Sequence, residues 1–334
     1  MMNLPGLTNL SPGKSRLYFI AGSLVVYAAL TFLASKYNSA PHGDWQSEIH
    51  NDKAGYYIYL PATFIHGYYY SDDLEAVRAK LSGFKFSDGK LFCKYPMGVA
   101  LLVLPFFLVA HLLALAGAGP ADGFSGVYYE MTYFASVFYL LLGIIILYKF
   151  LIRRFSQQIS IITLLTIIFA TNAYYYALRE PLFSHIYSFF LFSLLLLLTD
   201  NLWTNPGTKK FCMAAVVSGL IFLVRPANIL FLAILPFLGL ASFKDLQNRL
   251  RFIFKPINLV SYILLFIIVI LPQLIYWRFI SGSFLFYSYE NEGFIYWNSP
   301  KIIGVLFSPN NGLLLYSPAY LLIFTGLLVL IIRK

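Results

Sequence analysis

A chain of 334 residues with 59% hydrophobic and only 11% charged side chains cannot close into a water-soluble globule, whose charged share is nearer a quarter. Its formal net charge of +10 does not indicate nucleic acid, because Lys and Arg stand in small groups at the ends of apolar runs rather than along one stripe. Two cysteines, Cys93 and Cys212, offer neither a disulfide framework nor zinc-type spacing.

A helix crossing ~30 Å of hydrocarbon needs about 20 apolar residues. Charge-free runs near that length occupy residues 17–35, 131–148, 159–177, 182–199, 256–277 and 312–332. The stretch 211–243 is long enough for two short spans, broken at Arg225-Pro226, where a charge and a helix-breaker together mark a turn at an interface. The chain therefore reads as an all-α polytopic membrane protein with eight transmembrane helices in a single domain. Lys14 and Arg16 ahead of the first run also suit a secretory signal. No clean small-x-small site follows them, and an uncleaved first helix is expected.

One further run, 97–117, is long enough to cross and sets the topology. If it lies along the membrane and the amino terminus is cytoplasmic, Lys149, Arg153, Arg154, Lys209, Lys210, Lys244, Arg249, Arg251, Lys255, Arg333 and Lys334 all face inward, as the positive-inside rule requires. Arg179, Arg225, Arg278 and Lys301 then face outward. If the run crosses and the amino terminus is outside, the first loop becomes cytoplasmic with seven basic and seven acidic residues. Charge alone leaves these two open; Pro105 and His111 favour a segment that does not cross.

In the first arrangement residues 36–128 form a long extracytoplasmic loop with juxtamembrane helices, and 279–312 form the last outer loop. Within the first, Ser71 followed by Asp72, Asp73 and Glu75 predicts a helix N-cap with acids in the opening turn. Leu74, Val77 and Leu81 supply its apolar stripe. The tyrosine-rich piece 56–70 predicts an interfacial helix with rings at headgroup depth.

Twelve of the fourteen acids fall on the outer side, leaving Asp200 and Asp245 inside, so any chemistry faces outward. Asp52 can act as a general base on a hydroxyl, or be a solvated loop acid. Lys94, at the mouth of the 97–117 run, can hold a lipid phosphate, or snorkel. Arg179-Glu180-Pro181 with Ser184-His185 cluster at one outer surface, or merely punctuate two helix ends. Arg225 can contact phosphate or end a span, and Glu130, Glu290 and Glu292 are open in the same way. P-loop, dinucleotide fingerprint, serine elbow and paired-histidine patterns are absent from the sequence.

An acid followed four residues later by tyrosine (Asp52, Tyr56), then Lys-x-Pro (Lys94-Tyr95-Pro96) opening an apolar segment, resembles the GT-C glycosyltransferases. The nearest types are protein mannosyltransferase-like and aminoarabinose transferase-like membrane enzymes. The stretches 180–185, 223–226 and 307–312 are similar to those of bacterial members, so the resemblance spans nearly the whole chain. It implies a plasma-membrane enzyme that moves a sugar from a polyprenyl-phosphate donor to a lipid, glycan or protein acceptor. Asp52 would be the catalytic carboxylate. Lys94 would hold the donor phosphate. Arg179 or Arg225 is the candidate to help it, and Tyr56, Tyr57, Glu180 and His185 are candidates to line the site. Some relatives use a divalent cation and others do not.

Three departures stand out: Lys53 follows Asp52 where many members have a second acid, Tyr95 replaces the first proline of Lys-Pro-Pro, and no arginine lies near Glu130. Members usually continue through more spans, so a short form or fragment is expected. The competing classes are a transporter or flippase, with Arg179, Glu180 and Arg225 lining its path, and a non-catalytic scaffold. A membrane-impermeant thiol reagent is expected to mark Cys93 and spare Cys212 in intact cells.

Overall fold

The computed structural model describes residues 22, 25–33, 49–289, 293, 296 and 298–332. Lys14, Arg16, Glu290, Glu292, Arg333 and Lys334, named above, lie outside the described residues. The chain is mostly helical, and among the described residues four helices are long and apolar enough to cross a membrane: Gly98–Ala118, Gly126–Leu151, Ser184–Thr204 and Pro256–Ser281.

Residues 25–33 form α1. The polar loop that follows supplies α2 (Asp52–Tyr57) and α3 (Tyr59–Pro61), which widen into the turn Ala62–His66. Next come α4 (Asp72–Leu81) and a hairpin of β1 (Lys85–Ser87) and β2 (Lys90–Phe92), antiparallel with Phe86 opposite Leu91. Then follow α5 (Gly98–Leu113), α6 (Gly126–Leu151), α7 (Gln157–Phe169), α8 (Ala173–Leu178), α9 (Ser184–Thr204) and α10 (Thr208–Val224). A 3₁₀ stretch, Pro226–Ala233, leads into α11 (Ile234–Phe237). The remainder is α12 (Phe243–Ile253), α13 (Pro256–Ser281), α14 (Ile302–Phe307), α15 (Leu313–Tyr316) and α16 (Ala319–Ile332).

Four helices run in register and define two ends. α6 and α9 point the same way: Tyr139 packs on Tyr187 and Phe190 at 5.4 and 5.0 Å, and Arg153 pairs with Asp200 at 2.9 Å. Gly143 is what lets them close, since a Cβ there would lie 2.8 Å from the Phe189 ring. α10 and α13 also run together, in the opposite sense to α9. Phe211 meets Tyr262 at 4.8 Å, and the Tyr262 hydroxyl donates to Ser218 Oγ at 2.7 Å. One end therefore gathers the starts of α9 and the ends of α10 and α13; the other gathers the ends of α6 and α9 and the starts of α10 and α13.

The predicted break at Arg225-Pro226 is present, with Arg225 extended and Pro226 opening the 3₁₀ stretch. A 3₁₀ helix rises about 2.0 Å per residue against 1.5 Å for α. Residues 226–237 thus cover about 22 Å, nearly the length of α10, and carry the chain back to the far end. Asn228 Nδ2 donates to Ser188 Oγ at 2.9 Å near the start of this return, and Trp203 Nε1 donates to the Leu235 carbonyl at 2.5 Å near its close.

Other runs are shorter than the hydropathy pattern suggests. The run 159–177 divides into α7 and α8 at Ala170–Asn172, and 312–332 divides into α15 and α16 at Ser317-Pro318. α5 meets α10 end-on, with Gly98 against the backbone of Leu223 and Val224. It then runs antiparallel to the first half of α6, where the Tyr139 hydroxyl donates to Leu102 O at 2.8 Å and His111 Nδ1 bonds Tyr128 at 2.5 Å. With residue 143 level with 190, the opening eleven or so residues of α6 extend about 16 Å past the start of α9, and α5 packs on that extension.

The loop corrects two expectations. Ser71 does cap α4, accepting from Leu74 N at 3.3 Å, with Leu74 and Leu81 buried. But the loop is not wholly helical: Asp88 and Gly89, both at positive φ, make the tight turn of the hairpin. The tyrosines of 56–70 do not all line a headgroup layer either. Tyr56, Tyr57 and Tyr59 are core residues, while Tyr69 and Tyr70 are exposed.

Candidate functional site

The first turn of α2 is fixed from behind. Asn51, at φ 51°, donates its N–H to Leu81 O at 2.8 Å, and its side chain accepts from Ser82 Oγ at 2.6 Å. Gly83 packs so tightly here that a Cβ would sit 1.9 Å from Asn51 O. This clamp ties α2 to the end of α4 and presents Asp52 to a cavity of about 510 Å³. Asn51, Lys94, Tyr95, Ser288 and Tyr289 share its lining with Phe84 and with Lys85 and Phe92 of the hairpin.

Tyr95 is the centre of the arrangement. Its hydroxyl donates to Asp52 Oδ1, and its ring lies across α2 at Gly55, where a Cβ would come within 2.3 Å of Tyr95 Cδ2. The Tyr56 ring is 4.6 Å away and Tyr289 is 6.2 Å away. Burial first, then the Asp52 carboxylate, pushes the Tyr95 phenol far above its ordinary range, so it stays a donor. The Lys94 ammonium stands 5.2 Å over the Tyr95 ring and 5.9 Å from Tyr289, and the Lys94 carbonyl accepts from Ser288 Oγ at 2.6 Å.

Tyr56 bonds Ser184 at the start of α9 and has its phenol raised by burial; Ser184 and the Arg225 charge pull the other way. Arg225 acts on Tyr289 in the same sense. Asp52, Tyr56, Lys94 and Arg225 are thus neighbours, where α2, the start of α5, the start of α9 and the end of α10 meet.

Behind Tyr95 lies an apolar groove of about 810 Å³ between α3, α5 and α13, walled by residues such as Leu60, Phe64, Leu101, Leu104, Ile268 and Leu271. Three hydrogen bonds tie the partition between groove and cavity. Tyr59 donates to Tyr95 O at 2.5 Å, Cys93 N donates to Tyr276 Oη at 2.8 Å, and Tyr276 donates to Leu91 O at 3.0 Å. Cys93 Sγ lies 3.0 Å from Gly55 O, and burial pushes its thiol up to about 12. It is only 1% exposed, so it is a structural residue and not the accessible thiol expected from the sequence.

The other predicted residues go elsewhere. Tyr57 donates to Gly123 O at 2.7 Å, packs on Phe107 and Phe124, and belongs to the core beneath α5. Glu180 binds Lys53 at 2.7 Å, so the lysine beside Asp52 turns away from the cavity into the turn between α8 and α9. Arg179 lies at the C-cap of α8, where its charge acts on Tyr175. His185 stacks flat on Tyr176 at 3.7 Å and lines a separate cavity of about 310 Å³ with Asn172 and Ser317. Among the described residues, no three His, Cys, Asp or Glu side chains gather to hold a metal ion. Tyr95, Ser288 and Tyr289 were not anticipated; the one signal for Tyr95 was its place in Lys-x-Pro.

No family model, curated protein or solved structure matches the chain.

Proposed function

We propose that the chain is a membrane glycosyltransferase of the GT-C kind, moving a sugar from a polyprenyl-phosphate donor to a lipid, glycan or protein acceptor. The observation that carries this reading is that the Asp52 carboxylate and the Lys94 ammonium share the lining of a single cavity, separated by a tyrosine wall from an apolar groove of about 810 Å³. Asp52 aligns and deprotonates the acceptor hydroxyl, which attacks the anomeric carbon from the face opposite the phosphate and inverts it. Lys94 and Arg225 stabilise the charge that grows on the departing phosphate. The groove takes the isoprenoid chain, whose apolar surface has nothing to gain from the polar cavity.

In this reading the site end is extracytoplasmic, the protein resides in the plasma membrane, and the eight spans count residues 226–237 as a short return span. The seating of α5 beyond the start of α9 supports placing it as a juxtamembrane element.

The test uses the full chain in vesicles with polyprenyl-phosphate sugars offered singly, reading release of polyprenyl phosphate in the presence of membrane acceptor fractions. Asp52→Asn should lower turnover about 10²- to 10⁴-fold with polyprenyl-phosphate binding unchanged, whereas Lys94→Gln should weaken that binding. Undiminished release from Asp52→Asn, or no release with any donor, overturns the proposal.

A further inference from the structure

We propose that α12 lies in the plane of the membrane surface and binds anionic phospholipid headgroups, at the end of the bundle opposite the Asp52 cavity. At about 100° per residue, Phe243, Leu250 and the C-cap residue Phe254 fall within about 40° of one another. All three are exposed, at 74%, 37% and 62%. Lys244 and Arg251, also exposed, form a second stripe about 90° round the helix, and exposed Lys255 follows directly. An apolar stripe beside a cationic one on the outward half of a helix is the pattern of an interfacial helix, with rings at the acyl boundary and ammonium groups among phosphates.

The inward half is anchored. Arg249 donates to the carbonyls of Pro236 and Leu238 at 3.0 and 2.7 Å, pairs with Asp245 at 2.9 Å and covers the Trp203 ring at 5.0 Å. Asp245, the only acid of the helix, is therefore engaged on the buried side. The neighbouring acid at this end, Asp200, is held by Arg153 and Arg154 at 2.9 and 2.6 Å. Charge complementarity calls for an anion. The choice of lipid over an acidic protein follows from the chain: two residues join α12 to α13, a helix long and apolar enough to cross a membrane. Proline at the first position of α13 turns the chain there, so α12 sits where α13 enters the bilayer.

The experiment places a reporter in the apolar stripe, Leu250→Trp, in the full chain reconstituted in phosphatidylcholine vesicles. These carry a small fraction of brominated phosphatidylglycerol or brominated phosphatidylcholine. The emission added by the new tryptophan should be quenched severalfold more strongly by the anionic lipid, and salt should weaken the preference. Each exposed cation contributes about fivefold, so combining Lys244→Gln, Arg251→Gln and Lys255→Gln should abolish the preference while quenching by both lipids persists. Equal quenching by the two lipids without those changes, or a preference that survives them, overturns the proposal. Quenching by neither lipid also overturns it and assigns the face to a protein partner.

Discussion

Gly98 is the contact on which the position of Lys94 depends, and Gly98→Ala tests it. A Cβ at this position would lie 2.3 Å from Leu223 C, 2.3 Å from Val224 N and 2.5 Å from Leu223 O. These are backbone atoms of the last turn of α10, and no rotamer change can move them. Ordinary carbon contacts are about 3.5–4.0 Å, so the start of α5 must retreat by more than about 1 Å from the end of α10. Overpacking of this kind costs about 1–3 kcal/mol. The retreat also carries Lys94, four residues upstream, away from Arg225, one residue beyond Val224. Displacements near 1 Å in a reacting site cost up to about 10²-fold in rate. The matched control is Gly126→Ala, at the first residue of α6, where nothing lies within 4 Å. Thermal unfolding of the detergent-solubilised chain should show Gly98→Ala melting well below Gly126→Ala, and polyprenyl-phosphate binding should weaken in the former alone. Coincident melting curves would refute the end-on packing of α5 against α10.

Glu180→Gln should destabilise by about 2–4 kcal/mol, toward the lower part of what breaking a buried pair costs, because the Lys53 side chain is 4% exposed but Glu180 is 23% exposed. Replacing both by apolar residues of similar volume should recover most of that loss in the same melting assay. Cys93 should resist maleimide in the folded chain: it is buried, and its raised pKa leaves almost no thiolate until the pH approaches about 12. Labelling on unfolding alone supports this, and labelling of the native protein at pH 8 contradicts it. Sidedness is then better read from Ser87→Cys on exposed β1, which an impermeant reagent should mark in intact cells. Arg249→Lys should loosen residues 236–239, since one ammonium cannot replace both Nη1, which donates to the Pro236 and Leu238 carbonyls, and Nη2, which donates to Gly239 O. Faster amide exchange there, absent elsewhere, is the expected signature.

What the sequence disclosed was local. The Ser71 cap needs only its own next three residues, and the break at Arg225-Pro226 needs only a proline whose ring forbids a continuing helix. The hairpin was equally local, because Asp88-Gly89 supplies two residues that tolerate positive φ, but a loop read for helical stripes hides it. The burial of Tyr56, Tyr57 and Tyr59 was not legible in composition. A tyrosine suits a lipid headgroup layer and a hydrogen-bonded core equally well, and what decides is a distant carbonyl or hydroxyl, such as Gly123 O for Tyr57.

Under the proposed GT-C reading, the departures from that pattern at Lys53 and Tyr95 make sense in the same non-local terms. Consecutive residues on a helix point about 100° apart, and here Asp52 and Lys53 diverge. Asp52 faces Tyr95, and Lys53 faces Glu180. A second acid at position 53 would therefore have looked into the turn between α8 and α9, not toward Lys94, and would have met Glu180 there as a like charge. The lysine at 53 instead carries the charge that Glu180 needs, and it locks α2 against the start of α9, where Ser184 meets Tyr56. Tyr95, in the place of a proline, supplies Asp52 with a donor that proline lacks. Both substitutions act on the carboxylate through its surroundings, one by anchoring its helix and the other by holding one of its oxygens.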